Sequence, residues 1–389
     1  MDIDRLYNQT FRQASWLELF FDLVFVAAIG MITTGLADTQ DGHIRFDQLA
    51  KLIFVFIPMW WIWITHTLYS NRFDDDLSHH RVQTLGLMSA IVVLILFSSD
   101  VPYDGFSIFT SLYSAIRLFQ SFMYIRVYVT HKDEIGFAKD VAIQIGVTAL
   151  ITLSSALFSG YVAMVVFYGG IILEMIWQYS IRGKLRSRPI DKSHMIERLG
   201  LLAIIILGES MISIVGGLTI EQFNPADILS AVSGFAIICL IWWVYFSYYD
   251  RFERSTRIFT GDILIFMHLF LCQGLLILAA LIEHAILNDL DRSVFGTLAI
   301  IGLTLFYIGK QIPYMFAFPV LTFPIVVTTG ACFVATFLAT LLPSVEYQML
   351  GLLGAVFLYI LMTQWTLSYD ISAYTDDGMQ HDGNEYHTA

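Results

Sequence analysis

Two carboxylates, Glu18 and Asp22, stand four residues apart in the otherwise apolar run Trp16-Leu17-Glu18-Leu19-Phe20-Phe21-Asp22. On a helix that spacing stacks both on one face, roughly 6 Å apart, and Phe25 and Ile29 continue the stripe. Such a pair resists double ionisation in a low dielectric, which predicts a bound proton or cation. The alternative is that Glu18 meets water or a loop arginine while Asp22 pins a neighbouring helix. Glu209, within Leu207-Gly208-Glu209-Ser210, follows Glu197 by twelve residues, roughly 18 Å of helix. Ser213 and Gly216 share its face, and small residues there admit a neighbouring helix or a file of water. A leucine would cost far less at that depth. Glu209 therefore either serves a function or holds a neighbour by a hydrogen bond. Arg117 reaches a similar depth from the other side and needs a carboxylate, with Glu209 and Glu174 as the two candidates. His268, one turn before Cys272, and His66 would each suit a proton relay, or pack as ordinary buried histidines.

These residues need an apolar scaffold to matter, and the composition supplies one. Of 389 residues, 57 % are hydrophobic and 14 % charged, and the mean hydropathy is +0.68. Soluble chains hold about 45–50 % apolar and about 25 % charged residues, so this is an integral membrane protein. A charge at mid-membrane costs about 2.5–3.5 kcal/mol, so each ionisable residue there requires a partner, a watery cavity or a neutral form. The net charge of −12 excludes electrostatic nucleic-acid binding. Cys239, Cys272 and Cys332 all lie in apolar runs and imply no disulfide framework.

A crossing takes about 20 apolar residues. Twelve candidate spans fall near 16–36, 47–69, 82–99, 106–128, 139–157, 160–180, 197–217, 226–249, 259–283, 294–309, 315–342 and 347–367. The first, with its two acids and no small-residue cleavage pattern, does not read as a cleaved signal peptide. With both termini cytoplasmic, the inner segments hold 17 of the 21 lysines and arginines, including Lys310 and six between Arg182 and Arg198. That alternation satisfies the positive-inside rule. The expected organisation is an N-terminal six-helix half (1–180), a basic cytoplasmic connector (181–196), a C-terminal six-helix half (197–368) and an acidic disordered tail (369–389). A shift of 179 residues matches Glu18 to Glu197, Trp63 to Trp242, Tyr69 to Tyr248 and Arg72-Phe73 to Arg251-Phe252. Six helices is an even number, so equivalent halves would insert the same way up, about an axis along the membrane normal.

Pro58 is expected to kink helix 2, and Pro319 and Pro324 to interrupt helix 11, with Thr322 and Thr328 near the freed carbonyls. The aromatic runs Trp60-Trp61-Ile62-Trp63 and Trp242-Trp243-Val244-Tyr245 suggest helix packing or interface belts. His79-His80 beside Asp74, Asp75 and Asp76 reads as a solvated loop cluster, and neither His381 nor His387 suggests a ligand. No metal site or cofactor is expected. Phosphate-binding glycine loops, dinucleotide fingerprints and hydrolase or zinc-protease motifs do not occur.

The run Trp16-Leu17-Glu18-Leu19-Phe20-Phe21-Asp22-Leu23-Val24-Phe25-Val26 resembles the opening signature of bacterial low temperature requirement A proteins. Asn71-Arg72-Phe73-Asp74-Asp75-Asp76 is similar to that family's loop after helix 2. Glu197-Arg198-Leu199-Gly200-Leu201 through Leu207-Gly208-Glu209 is similar to its helix 7, and His268 with Gly274 to its helix 9. The resemblance covers nearly the whole chain. It implies a twelve-helix bacterial inner-membrane protein linked by name to growth in the cold, and brings no biochemical activity with it. A weaker likeness joins Phe20-Phe21-Asp22 to the Phe-Ser-Asp motif of lysosomal-type potassium channels, but the second half carries Gly200-Leu201 at the shifted positions.

The leading expectation is a transporter or channel-like permease for a proton, small cation or small solute. Its path would use Glu18, Asp22, Glu209, Arg117, His268 and His66. The alternatives are a membrane-embedded lipid-handling enzyme, the less favoured class, and a non-transport membrane factor for cold or stress adaptation. Membrane lipids are the expected surroundings, and the oligomeric state stays open.

Overall fold

The computed structural model describes residues 13–36, 39, 42–44, 46–73, 78–98, 101, 105–130, 136–185, 187–218, 224–247 and 261–381. Among these residues are twelve α-helices and no strand. They are α1 (Trp16–Thr34), α2 (Phe46–Phe73), α3 (Ser78–Leu96), α4 (Phe106–Thr130), α5 (Phe137–Ser154), α6 (Gly160–Leu185), α7 (Lys192–Gly217), α8 (Pro225–Phe246), α9 (Asp262–Leu287), α10 (Arg292–Ala317), α11 (Thr322–Thr340) and α12 (Val345–His381). Ten of them are long and apolar enough to cross a membrane, α1 and α4 being the other two. Many are apolar all round. In α3, for example, Val82, Val92 and Leu96 face outward while Leu87, Ile91 and Leu94 are buried. A helix with no polar face suits lipid on one side and protein on the other. The chain is a multi-pass helical membrane protein.

Helix starts are set by local chemistry. A capping box opens α1: Ser15 Oγ accepts from the Glu18 amide at 3.3 Å, and the Ser15 amide donates to Glu18 Oε2 at 2.8 Å. Asn224 caps α8, with Pro225 at its first position, where the missing N–H has no partner to lose. The seventh helix starts earlier than expected, at Lys192, because Asp191 Oδ1 accepts from the His194 amide at 3.2 Å. His194 is thereby drawn into the helix, and Arg198 falls in its second turn rather than at its entrance.

Two proline expectations fail. Pro319 lies in a 3-10 turn (Pro319–Leu321), and Pro324 sits in the first turn of α11, so neither interrupts that helix. Instead α10 runs on through Pro313 to Ala317, and the chain turns at Phe318. Lys310 is consequently buried within α10 rather than anchoring a loop, its ammonium 5.4 Å from the ring centre of Tyr314 and 5.5 Å from that of Tyr359. Pro58 does lie inside α2. Thr328 hydrogen-bonds across to Thr366 of α12 at 2.9 Å, and α12 continues past Ser368 to His381. Arg5, Arg12, Arg45, Lys132, Arg186, Arg251, Arg254, Arg257, Tyr248, Asp74–Asp76 and His387 lie outside the described residues.

The helices fall into two compact units. The first takes α1–α6, α7 as far as Glu209 and the start of α9. In it α4 packs on α5 and α5 on α6, while α1 contacts both α2 and α3. Its α2 is buried on every side from Met59 to Ile64, including Trp60, Trp61 and Trp63. The second unit holds the rest of α7 and α9, with α8 and α10–α12, where α12 packs on α8 and α11. There Gly274 of α9 leaves so little room that an added Cβ would lie 2.6 Å from the Gly302 carbonyl oxygen of α10. Within a bilayer, lipid is as apolar as leucine, so such close backbone approach and interhelical hydrogen bonds hold helices together. The shifted pair Trp63 and Trp242 differ: Trp63 is fully buried and Trp242 half-exposed.

Candidate functional site

The first unit buries an ionic cluster between α1, α2 and α7. Arg198 Nη2 donates to Asp22 Oδ1 at 2.6 Å, and its Nη1 lies 3.3 Å from Glu18 Oε1. Trp63 Nε1 donates to the same Asp22 Oδ1 at 2.8 Å, and the Arg198 guanidinium lies 5.8 Å from the Trp63 ring centre. His194 Nε2 meets Glu18 Oε2 at 3.1 Å. Glu18, Asp22, Arg198 and His194 are each no more than 1 % exposed. Asp22 Oδ2 is buried with no hydrogen-bond partner among the described residues.

The helical period explains the match. Glu18 and Asp22 on α1, and His194 and Arg198 on α7, are both i,i+4 pairs, so each helix presents two polar groups one turn apart. Above them Thr33 Oγ1 donates to Glu209 Oε1 at 2.8 Å, and Glu209 lies against Gly30. His194–Glu18, Arg198–Asp22 and Glu209–Thr33 are all separated by 176 residues. A constant offset means that α1 and α7 run parallel and in register over that contact, about 22 Å of helix. Glu209 thus hydrogen-bonds a neighbouring helix.

Arg117 does not join this cluster. It pairs with Glu174 of α6, donates to Gln120, and lies 3.4 Å from the Trp61 carbonyl. Thr148 donates to the other Glu174 oxygen at 2.7 Å, and Gln120 and Gln144 bond to the Ile62 and Glu174 carbonyls. With both sides hydrogen-bonded inside four helices, this pair ties α2, α4, α5 and α6 together. His66 packs its ring 4.2 Å from that of Phe21, one turn from Glu18, and Ser70 Oγ is 3.5 Å from its Nε2. His80, expected in a solvated loop, is buried on α3 with its ring parallel to those of Tyr69 and His66. The loop is shorter than expected, since α3 already starts at Ser78. In the second unit His268 shares a 2.9 Å hydrogen bond with the Tyr245 hydroxyl.

Three participants were missed from sequence. Arg198 reads there as a topology anchor, but its charge is spent on Asp22 and Glu18 inside the protein. His194 falls in the expected connector, and Trp63 in an aromatic run that suggests helix packing or an interface belt. The usable signal was the i,i+4 spacing of His194 and Arg198, which mirrors that of Glu18 and Asp22. Among the described residues no group of three His, Cys, Asp or Glu side chains could hold a metal ion.

The cluster residues fall within the span that a family model matches. An uncharacterized protein of Rhizobium meliloti (strain 1021) is 27 % identical over 266 residues, covering 64 % of this chain. The chain spans 62 % of the length of that curated relative. The family model for bacterial low temperature requirement A protein (LtrA) matches residues 13–362, which takes in Glu18, Asp22, Trp63, His194, Arg198 and Glu209. The chain belongs to the LtrA family.

Proposed function

We propose that this protein is a permease that carries a proton, small cation or small solute across the bacterial inner membrane, with the Glu18–Asp22–Arg198–His194 cluster as its ion-handling site. The observation that carries this reading is the buried cluster itself. Two carboxylates share one guanidinium in an apolar bundle, and Asp22 Oδ2 has no hydrogen-bond partner among the described residues. A purely structural role would be served as well or better by packed apolar side chains, because desolvating charges offsets their attraction. Intramembrane acids of this kind mark ion pathways in general. Glu209, further along the same α1–α7 seam, provides a second carboxylate on the path.

The reading carries with it twelve crossings, both termini on the cytoplasmic face, and halves 1–180 and 197–368 joined by the connector 181–196. Parallel, in-register packing of helices 1 and 7 supports halves that insert the same way up about an axis along the membrane normal. The test is flux. Purified protein in liposomes under imposed proton, sodium and potassium gradients is followed by internal dyes, comparing wild type with Asp22→Asn and Glu209→Gln. Flux in the wild type and its loss in Asp22→Asn is the expected result; folded proteins with no flux at all would refute it.

A further inference from the structure

The orientation of one amide decides where a proton can sit in this cluster. Asn71, at the end of α2, makes two bonds to the backbone of Asp191: Oδ1 accepts from its N–H at 2.9 Å and Nδ2 donates to its carbonyl at 2.9 Å. Turning the amide over would set donor against donor and acceptor against acceptor, so the assignment is fixed by the backbone. The same Nδ2 lies 2.9 Å from His194 Nδ1. That ring nitrogen faces an N–H and must accept. A neutral imidazole then carries its only proton on Nε2, which points at Glu18 Oε2. An imidazolium would set its Nδ1–H against the Asn71 N–H.

Three of the four carboxylate oxygens of the cluster face a donor. Glu18 Oε2 takes His194 and the Ser15 amide, Glu18 Oε1 faces Arg198 Nη1 in an ion pair at 3.3 Å without a hydrogen bond, and Asp22 Oδ1 takes Arg198 and Trp63. Asp22 Oδ2 is buried without a partner among the described residues. The titratable groups around Asp22 are Glu18 on its own helix, His194 and Arg198 on α7, and His66 on α2 with His80 of α3 behind it. We infer that Asn71 holds His194 as the neutral Nε2–H tautomer and so makes Asp22 Oδ2 the atom that takes up the proton. This rests on the proposed role of the cluster in handling a proton. Asn71 acts as a positioning residue. Uptake forms an O–H bond on Asp22 Oδ2 and leaves Glu18 and Arg198 as a balanced pair, and release returns the proton without changing the imidazole.

The experiment is spectroscopic and needs no flux. Full-length protein labelled with ¹⁵N-histidine is reconstituted in lipid nanodiscs, and His194 is assigned by its loss in His194→Gln or by its shift in Asn71→Asp. The expected wild-type spectrum shows a neutral ring protonated on Nε2. In Asn71→Asp, a carboxylate faces Nδ1 and the ring becomes imidazolium. In parallel, infrared spectra during acidification should show a carboxylic-acid carbonyl band that is lost in Asp22→Asn and kept in Glu18→Gln. An Nδ1–H or doubly protonated ring in the wild type, or a band that survives Asp22→Asn, would overturn the inference. Absent flux with the expected spectra would overturn only the transport reading, and flux with an imidazolium at His194 only this one.

Discussion

Arg198 on α7 bonds Asp22 on α1 at 2.6 Å across 176 residues of sequence, the same separation that joins His194 to Glu18 and Glu209 to Thr33. Three contacts at one offset fix two helices as parallel neighbours and place every acid of the candidate path on one seam. The polar groups are thus not scattered defects in an apolar bundle. They form a line between two helices, with the ionic cluster at one end and Glu209 toward the other.

Removing Arg198 should be severe. In Arg198→Met two buried carboxylates lose their cation, and breaking a buried ionic pair from one side costs about 3–5 kcal/mol. Thermal melts in detergent should show a large drop. The triple variant Glu18→Gln, Asp22→Asn, Arg198→Met should recover most of it, since no uncompensated charge is left. Failure to recover would mean that the cluster is not a balanced unit.

The Arg117–Glu174 pair is assigned to structure, and its behaviour should differ from that of the first cluster. Arg117→Met and Glu174→Leu should each destabilise strongly, while their combination should lie closer to wild type in a double-mutant cycle. The rescued double variant should keep its flux. Loss of flux in a stable double variant would place this pair on the path.

Thr33 supplies the hydrogen bond to Glu209. Thr33→Val removes it, and a hydrogen bond is worth about 0.5–1.5 kcal/mol net. Thr33→Ser keeps the hydroxyl. Flux should fall in the valine variant and hold in the serine variant, and equal flux in both would remove Thr33 from the account.

Close backbone approach at Gly274 predicts a sharp contrast between glycines. Gly274→Ala drives a methyl against the backbone of α10 and should destabilise by about 1–3 kcal/mol. At Gly330 nothing lies within 4 Å of an added Cβ, so Gly330→Ala should be neutral or stabilise by about 0.5–1 kcal/mol through helix propensity. Melting temperatures of the two variants decide the point.

The membrane class and most of the helices are legible because apolar runs of span length have few other uses, and ten of the twelve described helices are such runs. Helix ends were less legible where polar residues are buried. Lys310 looks like a loop charge and Arg198 like one at a helix entrance, yet each lies buried within a helix, one against tyrosine rings and the other between carboxylates. The Glu18–Asp22 pair was recognisable from its spacing, but its partners come from 176 residues away, and no local pattern states which face of α7 meets α1. Arg117 had two candidate partners in sequence, and only packing selects Glu174. Pro324 misled because a first-turn proline and a mid-helix proline look alike until the start of the helix is known.

The central claim is that Asp22 sits on an ion path. Its most direct test is proton flux into liposomes holding equal amounts of folded wild-type protein or Asp22→Asn, with Glu209→Gln alongside. The account predicts flux in the wild type that is abolished in Asp22→Asn and reduced in Glu209→Gln. Undiminished flux in a folded Asp22→Asn protein would contradict it.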